Sequence, residues 1–327
     1  MAEPIVQRAS DLAALSVFAD CFGADLYPLA QQLTPVYAGV GDTLMRQGEP
    51  ADFFLIIHSG RVEVSHSGDG YSFVTDVGPG RIVGEIALLR HSARTATVTA
   101  IEEVIGWSGG DEAFDELIEL PGVLAMLIRT ARQRLAAFIT PIPMELAGGV
   151  RLLLRPVMPG DVERTTNSPV EFSSETMYRR FQSPRVPTPS LMRYLFEVDY
   201  INHFVWVVTT ESGDVVADAR FVRDERDAST AEIAFTVGDE YQGRGIGTYL
   251  MGALAVAARV AGVKSFSGRV LSDNLAMRKI MDRAGARWER EDLGIVTTVV
   301  DVPATLPFDQ QTARRIEDVA RQVMRAL

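Results

Sequence analysis

Cysteine is almost missing from this sequence. Cys21 stands alone among 327 residues, so no disulfide can form within the chain and a disulfide-stapled secreted domain is excluded. Long apolar runs are missing too. The best candidate, Ala253–Val263, is interrupted by Arg259, which makes it too short and too charged for a membrane span. The start, Met1-Ala2-Glu3-Pro4, has neither the basic residues nor the apolar stretch of an export signal. A cytoplasmic protein with no membrane association is therefore expected. Histidine is sparse, and His58, His66, His91 and His203 show no ligand spacing with one another or with Cys21, so no metal is expected. Positive charge is in short supply: 32 basic residues face 43 acidic ones, for a net charge of −11, and only Lys264 and Lys279 are lysines. Such a chain lacks the basic footprint of a general nucleic-acid binder and suits basic partners instead.

What is present fits two globular domains and a connector. Residues 9–30 carry a helical pattern with Leu12, Leu15, Phe18 and Phe22 on one face. From 33 to 109 the texture turns to short β-rich runs, with Ser59-Gly60 read as a hairpin turn between Phe53–Ile57 and Arg61–Ser65. Strands at this spacing predict a small barrel or jelly roll. Helical stretches at 111–119 and 121–139 follow and are ended by Pro141-Ile142-Pro143. The first domain is thus placed at 1–140 and a linker, containing Ala147-Gly148-Gly149, at 141–150. Residues 151–308 alternate strands and helices, which predicts an α/β domain with a mixed sheet. Residues 309–327 read as an amphipathic terminal helix.

The first domain contains Gly84-Glu85-Ile86-Ala87-Leu88-Leu89 and, shortly after, Arg94-Thr95. A glycine lets the backbone approach a ligand, and a helix start offers N–H groups to an anion. Arg94 supplies a charge-assisted phosphate contact, and Glu85 accepts hydrogen bonds from a sugar hydroxyl. With Gly48-Glu49-Pro50-Ala51-Asp52, Phe54, Gly60, Val62 and Val64 upstream, this stretch resembles the cyclic-nucleotide-binding domain family. The resemblance implies that Glu85 holds the ribose and Arg94 the cyclic phosphate. It also implies backbone contacts at Gly84, Ile86, Ala87 and Thr95. Thr95 leaves cyclic AMP and cyclic GMP both open. Arg134, on the inner stripe of the following helix with Leu127, Ala131 and Phe138, either caps the bound ligand or lays its stem on the core with its head in water.

The second domain contains Tyr241-Gln242-Gly243-Arg244-Gly245-Ile246-Gly247-Thr248 between a predicted strand, 231–237, and a predicted helix, 243–261. Glycines at a strand-to-helix turn expose N–H groups at the positive helix end and favour a diphosphate. The Gly-x-Gly-x-x-Gly spacing of dinucleotide folds is absent. The Gln-x-x-Gly-x-Gly pattern resembles the GNAT acetyltransferase superfamily. The resemblance implies that Gln242, Gly243, Arg244, Gly245, Ile246, Gly247 and Thr248 hold the diphosphate of acetyl-CoA. It implies further that Phe235, Thr236 and Val237 line the pantetheine arm, and that Asn274 opens a second motif. Strand alternation places Glu232, Ala234 and Thr236 on one face, where Glu232, alone among small neighbours, is a candidate base of raised pKa. The position where many GNAT enzymes carry a tyrosine acid holds Met281, so the general acid is unassigned.

The order of the two domains resembles the actinobacterial cyclic-AMP-regulated protein lysine acetyltransferases. That resemblance implies relief of inhibition by cyclic AMP and, as partners, proteins with an exposed lysine such as acyl-CoA and acetyl-CoA synthetases. The segment 160–200 is a candidate lid, and the terminal helix a candidate participant. Alternatives are a small-molecule amine substrate, a transcription regulator, or a non-catalytic sensor of two ligands.

Overall fold

The computed structural model describes residues 5–68, 71–145, 149–166, 168–185, 187–196 and 198–325. Met1–Pro4, Ala147, Gly148, Ala326 and Leu327, on which parts of the expected start, linker and terminal helix fall, lie outside the described residues, as do Asn167, Val186 and Glu197 of the segment 160–200. The chain forms two compact units that divide between Ala131 and Arg132, earlier than the expected boundary at 140.

In the first unit, α1 (Ile5–Ala13) and α2 (Tyr27–Gln32) precede strands β1 (Thr34–Ala38), β2 (Thr43–Met45), β3 (Phe54–Ser59), β4 (Val62–Gly68), β5 (Tyr71–Val77) and β6 (Ile82–Val83). Then come α3 (Glu85–Leu89), β7 (Thr97–Ala100), β8 (Val104–Gly109), α4 (Asp111–Glu119) and α5 (Val123–Ala136), which carries the chain past the division. The strands make two four-stranded sheets, ordered β1-β8-β3-β6 and β2-β7-β4-β5, with antiparallel pairing throughout. Alternation along β3 ties the layers together. Leu55 and Ile57 pack with Val62, Val64, Val83 and Val98, while Phe54 and Ile56 pack with Leu12, Leu29, Phe114 and Leu117 of the helices.

Two expectations fail here. The strands flanking Ser59-Gly60 do not pair as a hairpin: β3 joins one sheet and β4 the other. Gly60 is needed because a Cβ there would lie 2.0 Å from the Glu103 carbonyl oxygen. The single helical face over 9–30 is broken into α1, a short 3₁₀ turn at Ser16–Phe18 and α2. Leu12, Leu15 and Phe18 are buried as expected, but Phe22 is 80% exposed.

In the second unit, β9 (Ile142–Glu145) and β10 (Arg151–Pro156) precede α6 (Asp161–Thr166), α7 (Ser174–Phe181) and α8 (Pro189–Phe196). They are followed by β11 (His203–Thr209), β12 (Val215–Arg223), β13 (Thr230–Val237), α9 (Ile246–Ala261) and β14 (Ser265–Leu271). The last elements are α10 (Leu275–Arg283), β15 (Glu289–Asp292), β16 (Ile295–Asp301) and α11 (Gln310–Met324). The eight strands form one mixed sheet in the order β15-β16-β14-β13-β12-β11-β10-β9. Strand β9 corrects the expected linker at 141–150, because Ile142–Glu145 pairs with β10 at the sheet edge.

α9 covers one sheet face, where Trp206 donates through its indole N–H to the Ala253 carbonyl at 3.0 Å. Ile316, Ala320 and Val323 of α11 are buried in the same core. The other face meets α8, whose Phe196 ring lies 5.6 Å beneath the Arg220 guanidinium. Among the described residues the only parallel pair, β13 with β14, is linked by the helix that such a pair requires. Its pairing covers Thr230–Glu232 against Ser265–Ser267 and stops there. Phe221 sits at the centre of the core, fully buried and stacked on Phe204 at 5.7 Å. Phe221→Ala is expected to lower the unfolding free energy of the second unit by about 3–5 kcal/mol, measured by urea titration.

Candidate functional site

Where β13 and β14 part, a cleft of about 550 Å³ opens. Its lining brings together Glu232, Phe235, Thr236, Val237, Gln242, Gly243, Gly245, Ile246, Gly247, Thr248 and Asn274. Of the residues expected at this site, only Arg244 is outside the lining; its guanidinium lies 5.8 Å over the Tyr241 ring.

The turn that closes β13 onto α9 is set by local chemistry. Gly245 caps α9 with φ at 92°, a left-handed conformation that costs a side-chain-bearing residue energy. No side chain occupies the cap, so the N–H groups of the first helical turn, which have no partner within the helix, look into the cleft beside the turn. Gln242 braces it, donating from its amide to the Val237 carbonyl at 3.1 Å, Thr176 Oγ1 at 3.0 Å and Asp239 Oδ1 at 3.1 Å. Burial pushes the Asp239 carboxyl up, but hydrogen bonds from Thr176 and Ser173 outweigh it and hold the group below its ordinary range. Asn274 caps α10, accepting from the Met277 N–H at 3.1 Å.

Sequence reasoning missed the charges of the cleft. Arg179, Arg180, Arg269, Lys279 and Arg283 line it, against Glu232 as the single lining carboxylate among the described residues. Lys279 and Arg283 stand one turn apart on α10, a spacing that a helical reading of 274–284 contains. Arg283 Nη1 donates to Thr248 Oγ1 at 2.9 Å. Glu232 is exposed to the cleft rather than alone, because Arg180 interacts with it electrostatically. Desolvation and the Arg220 charge lower the Arg180 pKa to about 10, against the pull of Asp218 and Glu232. Met281 is fully buried, and its methyl would lie 3.1 Å from a Cβ at Gly268.

The sheet floor beside Glu232 is polar. Register places Glu232, Val222 and His203 in one row, Ala234, Arg220 and Val205 in the next, and Thr236, Asp218 and Val207 in a third. Arg220 donates to Asp218 Oδ1 from Nε at 3.2 Å and Nη2 at 2.5 Å. His203 is 8% exposed, and its Nε2 has no hydrogen-bond partner among the described residues. Burial, then the charge on Arg220, push its pKa down to about 4.

In the first unit, Gly84 caps α3, and Glu85 and Arg94 are both buried. Arg94 donates to the Gly84 carbonyl at 3.1 Å and the Phe53 carbonyl at 2.7 Å, and lies 3.6 Å from Asp52. Desolvation lowers its pKa, and Asp52, Glu49 and Glu85 oppose that shift. A Cβ at Gly84 would come within 2.8 Å of both Arg94 Nη1 and Met45 Cε. Ile86 and Ala87 are buried, and the half-buried Thr95 presents its carbonyl to His66 Nδ1 at 2.6 Å. Arg134 lies in the last turn of α5, beyond the division and within the second unit.

Among the described residues no cluster arranged to hold a metal is found, and no helix is long and apolar enough to cross a membrane. The model of the cyclic nucleotide-binding domain matches residues 36–120, and that of the acetyltransferase (GNAT) domain residues 151–287. An acetyltransferase, Pat, of Mycolicibacterium smegmatis is 60% identical over 100% of this chain and 99% of its own. A solved cAMP-binding acyltransferase from Mycobacterium smegmatis is similar at 55% identity, covering 100% of this chain and 99% of that one, with a TM-score of 0.53. A CRP-like cAMP-activated global transcriptional regulator of Mycobacterium tuberculosis is 32% identical over 38% of this chain and 57% of its own.

The buried His203 makes the second unit acid-sensitive. Its pKa falls from 6.5 unfolded to about 4 folded, so between those values the unfolded chain binds a proton that the folded chain does not. Stability from this residue is full above pH 6.5 and is lost as the pH falls toward 4, by about 3 kcal/mol. His203→Gln is expected to flatten that part of the stability–pH profile in chemical denaturation. An unchanged slope would show that other groups carry it.

Proposed function

The chain belongs to the GNAT acetyltransferases that carry a cyclic-nucleotide-binding domain, and on that premise we propose that it moves the acetyl group of acetyl-CoA onto a lysine amine of a target protein under the control of cyclic AMP. The observation that carries the reading is the parting of β13 from β14, where Glu232 and a glycine-capped helix start line one cation-rich cleft. The residues present fit the donor. Exposed helix N–H groups and the turn Gln242–Thr248 suit its diphosphate, and Phe235, Thr236 and Val237 flank the arm between diphosphate and thioester.

The reaction asks for a base. A lysine amine has a pKa of about 10.4, so freeing it at pH 7 costs about 4–5 kcal/mol. Glu232 takes the proton directly or through water as the amine attacks the thioester carbonyl and the thiolate leaves. Main-chain N–H groups near Val237 polarise that carbonyl. Targets are proteins with an exposed lysine, acyl-CoA and acetyl-CoA synthetases among them, and the place of action is the cytoplasm.

In the first unit, the buried pair Glu85 and Arg94 beside the Gly84 cradle fits a ligand with one ribose and one phosphate charge. Backbone at Gly84, Ile86, Ala87 and Thr95 completes the contact. Cyclic AMP regulates by binding one state of the protein better than another, a coupling of typically about 1–3 kcal/mol.

Two variants test the reading. Glu232→Gln is expected to slow transfer to a synthetase lysine by about 10²–10⁴-fold at neutral pH, measured with radiolabelled acetyl-CoA, while donor affinity holds. Transfer at the wild-type rate would remove Glu232 as the base. With Arg94→Ala, the ratio of rates with and without saturating cyclic AMP should fall to about one, because the phosphate loses its charged partner. Full stimulation of that variant would refute the cassette assignment.

A further inference from the structure

The α10 helix carries two cations that the proposed reaction does not use. Lys279 and Arg283 both line the cleft and both are exposed, and among the described residues neither has a carboxylate within ion-pair distance. The remaining lining cations are engaged: Arg179 with Glu175, Arg269 with Glu291, and Arg180 with the field of Asp218 and Glu232. α10 is seated against the phosphate turn. Ile280 packs so closely that a Cβ on Gly247 would lie 2.7 Å from its Cδ1, and Arg283 donates to Thr248 Oγ1 in the first turn of α9. Having accepted that bond, the Thr248 hydroxyl keeps its own proton for an anionic oxygen.

The diphosphate of the donor is provided for by the main chain of the glycine turn. A phosphate monoester, which carries about −1.5 to −2 charges at pH 7, has no such cradle. Resting on the acetyl-CoA reading, we propose that Lys279 and Arg283 recognise the phosphate monoester on the ribose of the donor and so make the site selective for coenzyme A over the same molecule lacking that phosphate. A flexible ammonium and a fork-shaped guanidinium one helical turn apart suit a group with three acceptor oxygens.

The test is equilibrium binding of coenzyme A and of dephospho-coenzyme A to the full-length chain by calorimetry. It compares wild type, Lys279→Gln, Arg283→Gln and the double variant, with circular dichroism confirming the fold. Wild type is expected to prefer coenzyme A by about ten- to a hundredfold, a range set by charge-assisted contacts. The double variant should lose most of that preference and bind dephospho-coenzyme A as wild type does. Equal wild-type affinity for the two ligands overturns the proposal. So does an unchanged preference in the double variant, or a parallel loss for both ligands, which would assign the cations to the diphosphate. Failure of wild type to bind either ligand would instead sink the acetyl-CoA reading.

Discussion

The second unit depends on a sheet that is left open in its middle. Each of the two strands at the opening is held on its outer side: β13 pairs with β12 from Ala231 to Val237, and β14 pairs with β16 from Ser265 to Leu271. Each therefore keeps its extended form without the other. The cost is a set of main-chain N–H and C=O groups along the inner edges, which must find water or a ligand. Gln242 takes one of them, the Val237 carbonyl. The rest give the cleft a polar edge that no choice of side chain could remove, beside a helix whose first N–H groups are also without partners.

That geometry settles the sign of what can enter. The chain is acidic overall, with 43 carboxylates to 32 basic side chains, yet among the described residues the cleft gathers five cations around one lining carboxylate. Net charge acts over the whole surface, but at the ionic strength of a cell its reach is about 8 Å. Inside the cleft the local cations and the helix end outweigh it and favour an anionic ligand. Glu232 brings a carboxylate into the same lining, with Arg180 in its field. The same pairing of charges recurs in the first unit, where a buried arginine and a buried glutamate flank one turn.

What was legible in the sequence was what is decided locally. The turn at Gly243–Thr248 and the cap at Asn274 are short-range arrangements, and the residues expected there line one cleft apart from Arg244. Strand pairing was not legible in the same way, because partners are chosen by the rest of the chain. Ser59-Gly60 has the composition of a hairpin turn but connects two sheets. β9 was hidden by the prolines at 141 and 143, which are tolerated because it is an edge strand. β15 reads Glu-Arg-Glu-Asp and is exposed throughout, so it has no apolar alternation to betray it. The cleft cations escaped notice because charged residues on a helix usually mean a solvated face, and only the packing of α10 against the phosphate turn tells them apart.

The position expected to hold a general acid is occupied by Met281, which leaves either another group as the donor or a thiolate that departs unaided. Met281 is fully buried against Gly268, and a buried phenol would need a hydrogen-bond partner for its hydroxyl. In the proposed reaction the two ends of the proton inventory are unequal. The incoming ammonium holds its proton with a pKa of about 10.4, far above neutral. The departing thiolate has a conjugate acid of pKa about 8.5, so it leaves without full protonation at small cost. Removing a proton from the nucleophile is thus the demanding step and supplying one to the leaving group the lesser one. Under the proposed reaction the exposed carboxylate of Glu232 would serve the demanding step.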